Sequence, residues 1–294
     1  MNFQNLSRVV FLFSIVAAVY AAAPQRYLVR GLIVKIDPAH KTMVVSCNAI
    51  PSYMDAMTMP LSVRDSRELD SLKPGDMIDF TLVVEKDSSY AEAIKLHSYE
   101  GLEPDPVAAR RLKLLERGVA GQVNKPVAVN QAVPNFSLLS QDGRKVSLAT
   151  LRGRVVAVNF IYTRCALPNF CFRSSNNFGN LQKRFKAELE RQNLVLLTVT
   201  FDPSHDDQET LAKYARIWKA DPRWWHFLTG KEADVRRVCD LFAEDYYQDE
   251  GLMDHSLHTA VIDRKGRLVA NLEGNEFSPE QLGDLVQAVL AEPR

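Results

Sequence analysis

Residues 158–171 read VNFIYTRCALPNFC, and they join the end of a buried strand to two cysteines. The strand belongs to a continuous apolar run over residues 155–162, which is typical of a strand covered on both faces of a sheet. Cys165 and Cys171 follow the run, and a helical pattern extends from residue 172 to residue 190. The sequence therefore predicts a strand-to-helix turn that carries both thiols.

The predicted position of the two thiols determines their chemistry. The first turn of a helix has unpaired N–H groups and the positive end of the helix dipole, and both stabilise a thiolate. Thiolate is the form that attacks disulfides and binds soft ions such as Cu(I) and zinc. Five residues separate Cys165 from Cys171, which would place them on different faces of a straight helix. Because Pro168 disfavours such a helix, we expect a folded-back loop that brings both sulfurs to one site.

Strand and helix patterns alternate on both sides of this turn. A hairpin is predicted around Gln141-Asp142-Gly143, and a second buried strand is predicted over residues 194–201. A βαβ core followed by a ββα end is the order of a thioredoxin-like α/β fold. The remaining predicted elements are helices over 206–219, 231–242 and 278–290, a short strand at 227–228 and a hairpin over 259–271.

The N-terminal part of the chain has an all-β pattern. Five short apolar or alternating segments lie between residues 27 and 97, with turn signals such as Lys73-Pro74-Gly75 between them. This pattern favours a small all-β, OB-like barrel. We therefore predict a barrel over residues 27–100, a helical linker over residues 101–128 and a thioredoxin-like domain over residues 129–294.

The first residues have the three parts of an export signal. Arg8 precedes an apolar run that ends in Ala21, Ala22 and Ala23. The run is too short to span a bilayer comfortably. We expect a cleaved signal peptide over residues 1–21 and a periplasmic or otherwise extracytoplasmic protein, with an uncleaved membrane anchor as the alternative. Outside the cytosol, thiols tend to be oxidised or bound to metal, so the four cysteines are informative.

The charge balance narrows the choice of partners. The chain has 36 basic and 36 acidic residues, and its formal net charge is zero. It has no basic tract of the kind that binds nucleic acid and no acidic tail for a basic partner. We therefore expect recognition through local sites, with no nucleic-acid partner and no small-molecule substrate.

Three motifs in the second domain carry a resemblance to a known family. They are Tyr162-Thr163-Arg164-Cys165, Thr200-Phe201-Asp202-Pro203 and Asp254-His255-Ser256. On these motifs the domain resembles the Sco/SenC family, which has a thioredoxin fold and delivers copper to the binuclear copper centre of cytochrome c oxidase. The usual family spacing has three residues between the cysteines and a proline after each cysteine. This chain has five residues between them, and a longer-spaced branch of the family is similar to it.

The resemblance implies a ligand set of Cys165, Cys171 and His255. Two thiolates and one imidazole suit Cu(I), with Cu(II) as a second oxidation state, and would also suit zinc with a fourth ligand. We expect His255 on the loop before the strand at residue 259, with Asp254 orienting its ring. A purely structural disulfide between Cys165 and Cys171 is the alternative.

Neighbouring residues refine this interpretation. The loop over residues 256–259 has no proline, where a thioredoxin-type reductase has a cis-proline beside its cysteine pair. The loop is therefore better suited to presenting a ligand than to docking a disulfide. Asp202 either tunes the site or caps the next helix, and we slightly favour the cap. Cys239 lies on an apolar helical face, which predicts a buried structural thiol.

A second group of soft side chains lies in the predicted barrel. Met57 and Met59 are two residues apart, so on a strand they lie on one face, and Met54 and Cys47 are close in sequence. Thioethers select Cu(I), although methionines more often fill cores. The segment resembles the CusF-type copper-binding barrel and its Met-Thr-Met signature. That resemblance implies Met57 and Met59 as ligands, Cys47 in place of a histidine, and Met54 where the family has a capping aromatic residue.

Together these features favour a two-site Cu(I) chaperone. The resemblance implies that the copper-bearing subunit of cytochrome c oxidase is the recipient, with other periplasmic copper carriers or thiol reductants as further partners. Copper transfer is ligand exchange and requires no enzymatic turnover. The alternatives are a thiol–disulfide oxidoreductase that uses Cys165 and Cys171 to keep the oxidase copper-site cysteines reduced, and a protein that sequesters copper for tolerance.

Overall fold

The computed structural model describes residues 23–97, 125–249 and 252–293. The predicted signal peptide lies outside these residues, as do residues 101–124 of the predicted linker. Among the described residues, no helix has both the length and the hydropathy that are needed to cross a lipid bilayer.

The N-terminal domain is a closed five-stranded barrel. The strands pair in the order β1-β2-β3-β5-β4, and β4 closes the barrel by pairing with β1. All neighbours are antiparallel except β3 and β5. This is the predicted all-β, OB-like barrel. The strands are β1 (Gln25–Asp37), β2 (Thr42–Cys47), β3 (Met57–Val63), β4 (Met77–Val84) and β5 (Ser89–Leu96).

The C-terminal domain is a seven-stranded sheet with helices packed against it, and it has the predicted thioredoxin-like order. The sheet order is β14-β13-β8-β9-β10-β6-β7. The strands are β6 (Ser137–Ser140), β7 (Lys145–Ser147), β8 (Val155–Ile161), β9 (Leu194–Thr200), β10 (Trp225–Thr229), β13 (His258–Ile262) and β14 (Leu268–Glu273). The helices are α1 (Arg173–Arg184), α2 (Lys186–Glu190), α3 (Gln208–Ile217), α4 (Glu232–Leu241) and α5 (Pro279–Ala291).

The central strands β8 and β9 position the cysteine turn. They are parallel, and every residue of both strands is buried. The continuous apolar runs that predicted them therefore reflect helices on both faces of the sheet. Because the strands are parallel, the turn after Ile161 and the turn after Thr200 lie at the same edge of the sheet.

Two predicted elements differ from the structure. The helix predicted over residues 172–190 is divided into α1 and α2 at Phe185, whose φ of −106° and ψ of 26° are not helical. The structure also has a two-stranded hairpin, β11 (Tyr246–Asp249) and β12 (Leu252–His255), that the sequence analysis treats as a loop. His255 is therefore the last residue of a strand and is not on a free loop, because pairing with Tyr246 fixes its backbone.

The barrel packs directly on the thioredoxin-like domain. Leu32 of β1 is fully buried within the hydrophobic core of the C-terminal domain, and Met77 of β4 packs against that core. Around this apolar contact, Asp284 of α5 accepts hydrogen bonds from Ser46 Oγ (2.7 Å) and Thr58 Oγ1 (2.6 Å). The outer face of β2 and β3 is thereby fixed to α5.

Candidate metal centre

Cys165 lies in the turn that follows β8. Its backbone N–H donates to the Tyr162 carbonyl at 3.3 Å, which closes the turn. The side chain is half-buried and packs against the core of the domain. Its Sγ lies 3.8 Å from the Leu167 carbonyl oxygen.

Cys171 lies in a short helical turn over Pro168–Phe172 that leads directly into α1. The turn is interrupted at Phe170, where φ is −109° and ψ is −110°. The chain therefore folds back between the two cysteines and the regular helix begins after Cys171, as Pro168 predicts. Cys171 is buried, with 1% of its surface exposed.

His255 reaches the cysteines from the end of β12. Its Nε2 lies 4.0 Å from Cys171 Sγ, and its ring is held between aromatic side chains, with centroid distances of 4.6 Å to Phe201 and 5.9 Å to Tyr162. The other ring nitrogen, Nδ1, lies 2.6 Å from the Ser256 carbonyl oxygen. Because a carbonyl oxygen only accepts, Nδ1 carries the proton in the neutral ring and Nε2 has a free lone pair.

The two thiols have opposite acidities. Hydrogen bonds from Cys171 and His255 outweigh burial and lower the pKa of Cys165 to about 4. Burial, together with the neighbouring Cys165 sulfur, raises the pKa of Cys171 well above its ordinary value. Burial opposes charge on His255, but hydrogen bonds to Cys165 and Glu244 raise its pKa to about 9. These pKa shifts favour a Cys165 thiolate beside a Cys171 thiol and a protonated His255.

The distance between Cys171 and His255 is compatible with a shared ion. In protein zinc sites, metal–sulfur bonds are about 2.3 Å and metal–nitrogen bonds about 2.0 Å, so two such ligands of one ion lie within about 4.3 Å of each other. The 4.0 Å separation of Cys171 Sγ and His255 Nε2 is within that limit. Across the described residues, no group of three His, Cys, Asp or Glu side chains is already gathered as a metal cage. The three side chains are therefore neighbours that do not yet form a complete cage.

Glu244 is a neighbour of His255 that sequence reasoning missed. It is fully buried, and its Oε1 lies 3.4 Å from His255 Nδ1. The sequence predicts Asp254 in this orienting role, because Asp254 directly precedes His255. Glu244 lies eleven positions earlier in the chain, and only the unpredicted pairing of β11 with β12 brings it close.

Two aspartates after β9 support the cysteine turn. Asp206 is buried and accepts hydrogen bonds from the Thr163 backbone N–H (3.0 Å), the Thr163 hydroxyl (2.5 Å) and the Thr200 hydroxyl (2.5 Å). Asp202 accepts from Arg164 at 2.7 Å and lies 2.8 Å from His205 Nδ1. The cap of α3 is Asp207, which accepts from the Thr210 backbone N–H, so the capping role favoured for Asp202 is wrong.

The candidate ligands of the barrel lie on two paired strands. Cys47 is opposite Met57, and Val45 is opposite Met59, so Cys47, Met57 and Met59 belong to the same face of the β2–β3 ladder. Cys47 is buried, Met57 is 48% exposed, and Met59 packs at the margin of the barrel core.

The loop between these strands adds Met54, whose backbone pairs with Ile50 and whose side chain packs on the same core. Tyr53 stacks on Tyr27 with ring centroids 4.1 Å apart. Burial raises the pKa of the Cys47 thiol to about 12, so without metal this thiol is protonated. The arrangement offers one buried thiol and thioethers of differing exposure.

All four cysteines are unbridged in this structure. Cys239 is fully buried in α4, as its apolar surroundings predict. It lies outside the group formed by Cys165, Cys171 and His255, and it serves as a core residue.

Comparison with known proteins gives two family matches. The family model described as SCO1/SenC matches residues 125–291, and the model described as copper binding periplasmic protein CusF matches residues 26–96. The two matched ranges coincide with the thioredoxin-like domain and the barrel.

Individual relatives match a little over half of the chain. The SCO1 protein homolog of Bacillus subtilis is 33% identical over 164 residues, covering 54% of this chain and 81% of that protein. The human mitochondrial SCO2 homolog is 28% identical over 173 residues, covering 57% of this chain and 62% of that protein. Among solved structures, yeast Sco1 with copper bound is 22% identical, with a TM-score of 0.47, and covers 55% of this chain and 91% of that one.

Proposed function

Because the chain belongs to the SCO1/SenC family, we propose that it is a copper metallochaperone that carries Cu(I) on Cys165, Cys171 and His255. The observation that carries this proposal is the convergence of one thiolate, one thiol and one imidazole from two chain segments, the turn after β8 and the end of β12. Soft sulfur ligands with one imidazole are the donor set that Cu(I) prefers.

Loading is an exchange of protons for metal. Cu(I) binding would displace the proton of Cys171, whose pKa burial raises, and the Nε2 proton of the protonated His255 ring. Cys165 is already a thiolate and half-exposed, so it is the ligand best placed to meet incoming or departing copper. Transfer then proceeds by stepwise replacement of protein ligands by those of a partner.

The recipient that we propose is the copper-bearing subunit of a cytochrome c oxidase, as the family resemblance implies. Periplasmic placement and other copper carriers or thiol reductants as further partners belong to the same proposal. The match of residues 26–96 to a periplasmic copper-binding family supports it.

We propose a second Cu(I) site in the barrel, formed by Cys47, Met57 and Met59 with Met54 beside them. The cross-strand pairing of Cys47 with Met57 and the shared face of Met59 support this assignment. Exposed Met57 would take up copper first, since the buried and protonated Cys47 requires deprotonation.

A thiol–disulfide oxidoreductase is the second candidate function, and the lowered pKa of Cys165 favours it. A thiolate of this kind attacks disulfides, and Cys171 is adjacent to resolve the mixed disulfide. Such an enzyme would use Cys165 and Cys171 without needing His255 as a ligand.

Metal counting in the full chain tests both copper sites. Reduced protein is titrated with Cu(I) anaerobically against a competing chelator, alongside the variants Cys165→Ser and Cys47→Ser. We expect two bound ions in the parent and one in each variant. Absence of tight binding in the parent would refute the chaperone proposal, and an unchanged count in Cys47→Ser would refute the barrel site alone.

A further inference from the structure

Glu244 is a buried acidic side chain with an unusual set of neighbours. It is fully buried in the segment between α4 and β11. Its Oε2 accepts from the His258 backbone N–H at 2.8 Å, and its two carboxylate oxygens lie 3.4 Å from the Nδ1 atoms of His255 and His258. These described contacts include two imidazoles and a backbone N–H, but no lysine or arginine. A buried carboxylate is costly unless hydrogen bonds and positive charge compensate it, and here only the imidazole side can supply them, which indicates that the position serves the adjacent site.

We propose that Glu244 is a positioning residue of the metal centre. It orients His255 through Nδ1, on the side of the ring away from the sulfurs, and its negative charge at that place favours Cu(II) over Cu(I). This inference rests on the proposed function, because it concerns the same three ligands. It assigns no ligand role to Glu244, which lies on the Nδ1 side of the ring while the sulfurs lie on the Nε2 side.

The geometry supports the holding role. Nδ1 of His255 faces both the Ser256 carbonyl at 2.6 Å and the Glu244 carboxylate at 3.4 Å, so its proton is shared between two acceptors. A carboxylate behind a metal-binding imidazole fixes the ring orientation and makes the free nitrogen a stronger donor. Because β12 pairs with β11, the backbone that carries His255 is fixed by the same segment that follows Glu244.

The charge of Glu244 also distinguishes the two oxidation states. Cu(I) with two thiolates and a neutral imidazole has one net negative charge, and a nearby carboxylate makes the group doubly negative. Cu(II) on the same ligands is neutral, so the carboxylate leaves only one negative charge in total. Charges interact strongly in a buried, low-dielectric site. Glu244 therefore stabilises the Cu(II) form relative to the Cu(I) form.

The matched test changes the charge with little change of shape. Glu244→Gln, Glu244→Asp and the control Glu190→Gln are prepared in the full chain with Cys47→Ser, so that copper binding is measured at one centre only. Glu190 is exposed at the end of α2, before β9 begins, so its substitution removes the same charge at the opposite edge of the sheet from the cysteine turn. Cu(I) and Cu(II) affinities and the reduction potential of bound copper are measured, with thermal unfolding as a check of the fold.

We expect Glu244→Gln to lower the ratio of Cu(II) to Cu(I) affinity by about tenfold, which for a one-electron couple raises the potential by about 59 mV. Glu244→Asp keeps the charge, so its affinity ratio and potential should stay near those of the parent, as should those of Glu190→Gln. Equal losses of both affinities, or an unchanged potential, would overturn the proposal. If Glu244→Gln does not fold, a Glu244→Asp potential far from that of the parent would overturn it. Failure of the parent to bind copper would instead refute the proposed function.

Discussion

At the scale of single residues, Cys165 and Cys171 are chemically identical side chains with opposite environments. Cys165 is half-exposed and receives hydrogen bonds, whereas Cys171 is buried with 1% of its surface exposed. Hydrogen bonding to a thiolate favours the charged form, and burial disfavours it. Cys165 is therefore the reactive thiolate of the pair, and Cys171 is a protonated thiol of low reactivity.

This division predicts selective alkylation of the metal-free, reduced protein. Iodoacetamide at pH 6 should modify Cys165 well before Cys171, Cys47 or Cys239, because the other three are buried and their pKa values are raised. The thiolate is lost as the pH falls through about 4, so the rate should fall there and stay nearly constant from pH 6 to pH 8. Mass spectrometry of digested peptides measures the rate. A rate that rises tenfold for each pH unit over that range would contradict the lowered pKa of Cys165.

At the scale of elements, the turn between β8 and the cysteines depends on the segment after β9. Asp206 receives three hydrogen bonds from Thr163 and Thr200, all from neutral donors, and burial raises its pKa. The adjacent Asp207 caps α3 and is exposed. Neighbouring aspartates thus have separable roles.

We therefore predict different results for Asp206→Ala and Asp207→Ala. Asp206→Ala leaves a buried N–H and two hydroxyls without their acceptor and should destabilise the fold by about 3 kcal/mol while weakening copper binding. Asp207→Ala removes a helix cap and should cost about 1 kcal/mol without affecting copper. Urea unfolding and Cu(I) competition measure the two effects. Unchanged copper affinity in folded Asp206→Ala would show that Asp206 does not position the cysteine turn.

The elements differ in how far the sequence predicts them. β8 and β9 are predicted well, because full burial leaves an apolar run in the sequence, and α5 is marked by its Ser278 cap. The β11–β12 hairpin is not predicted. Its strands are short and polar, and their pairing depends on tertiary contacts such as the stacking of Tyr246 on Phe201.

In the candidate site, too, residues with a local sequence signal are predicted, and those that depend on tertiary contacts are not. Cys165, Cys171 and His255 are indicated by residue type and motif. Glu244 is not, because a single acidic residue eleven positions from His255 carries no local signal. The different exposures of Met57 and Met59 are likewise decided by barrel packing.

At the scale of the whole molecule, the barrel and the thioredoxin-like domain are joined by an interface with an apolar centre. Leu32 is inserted into the core of the other domain, and Gln281 donates to the Ser46 carbonyl and to Asn48 Oδ1, both at 3.0 Å. Across the interface, His97 Nε2 lies 2.6 Å from Glu276. The strands that carry the barrel's candidate ligands are therefore held against α5.

This interface predicts a specific effect of Asp284→Ala. The substitution removes the acceptor of Ser46 and Thr58 and the ion-pair partner of Arg184. We expect a loss of about 1–2 kcal/mol and faster hydrogen exchange in β2, with both copper sites still able to fill. Glu280→Ala, at an exposed position on the same helix, is the control and should change neither the free energy of unfolding nor the hydrogen-exchange rates of β2. Equal hydrogen-exchange rates of β2 in Asp284→Ala and Glu280→Ala would contradict an ordered interface.

The most direct test of the metal centre is Cu(I) titration of His255→Ala, in the full chain with Cys47→Ser, combined with a disulfide-reduction assay. If Cys165, Cys171 and His255 together hold Cu(I), affinity should fall by at least about tenfold, while Cys165 and Cys171 still reduce a model disulfide. Undiminished Cu(I) affinity in folded His255→Ala would contradict a three-ligand centre, and would leave the cysteine pair as the only functional unit of this edge of the sheet.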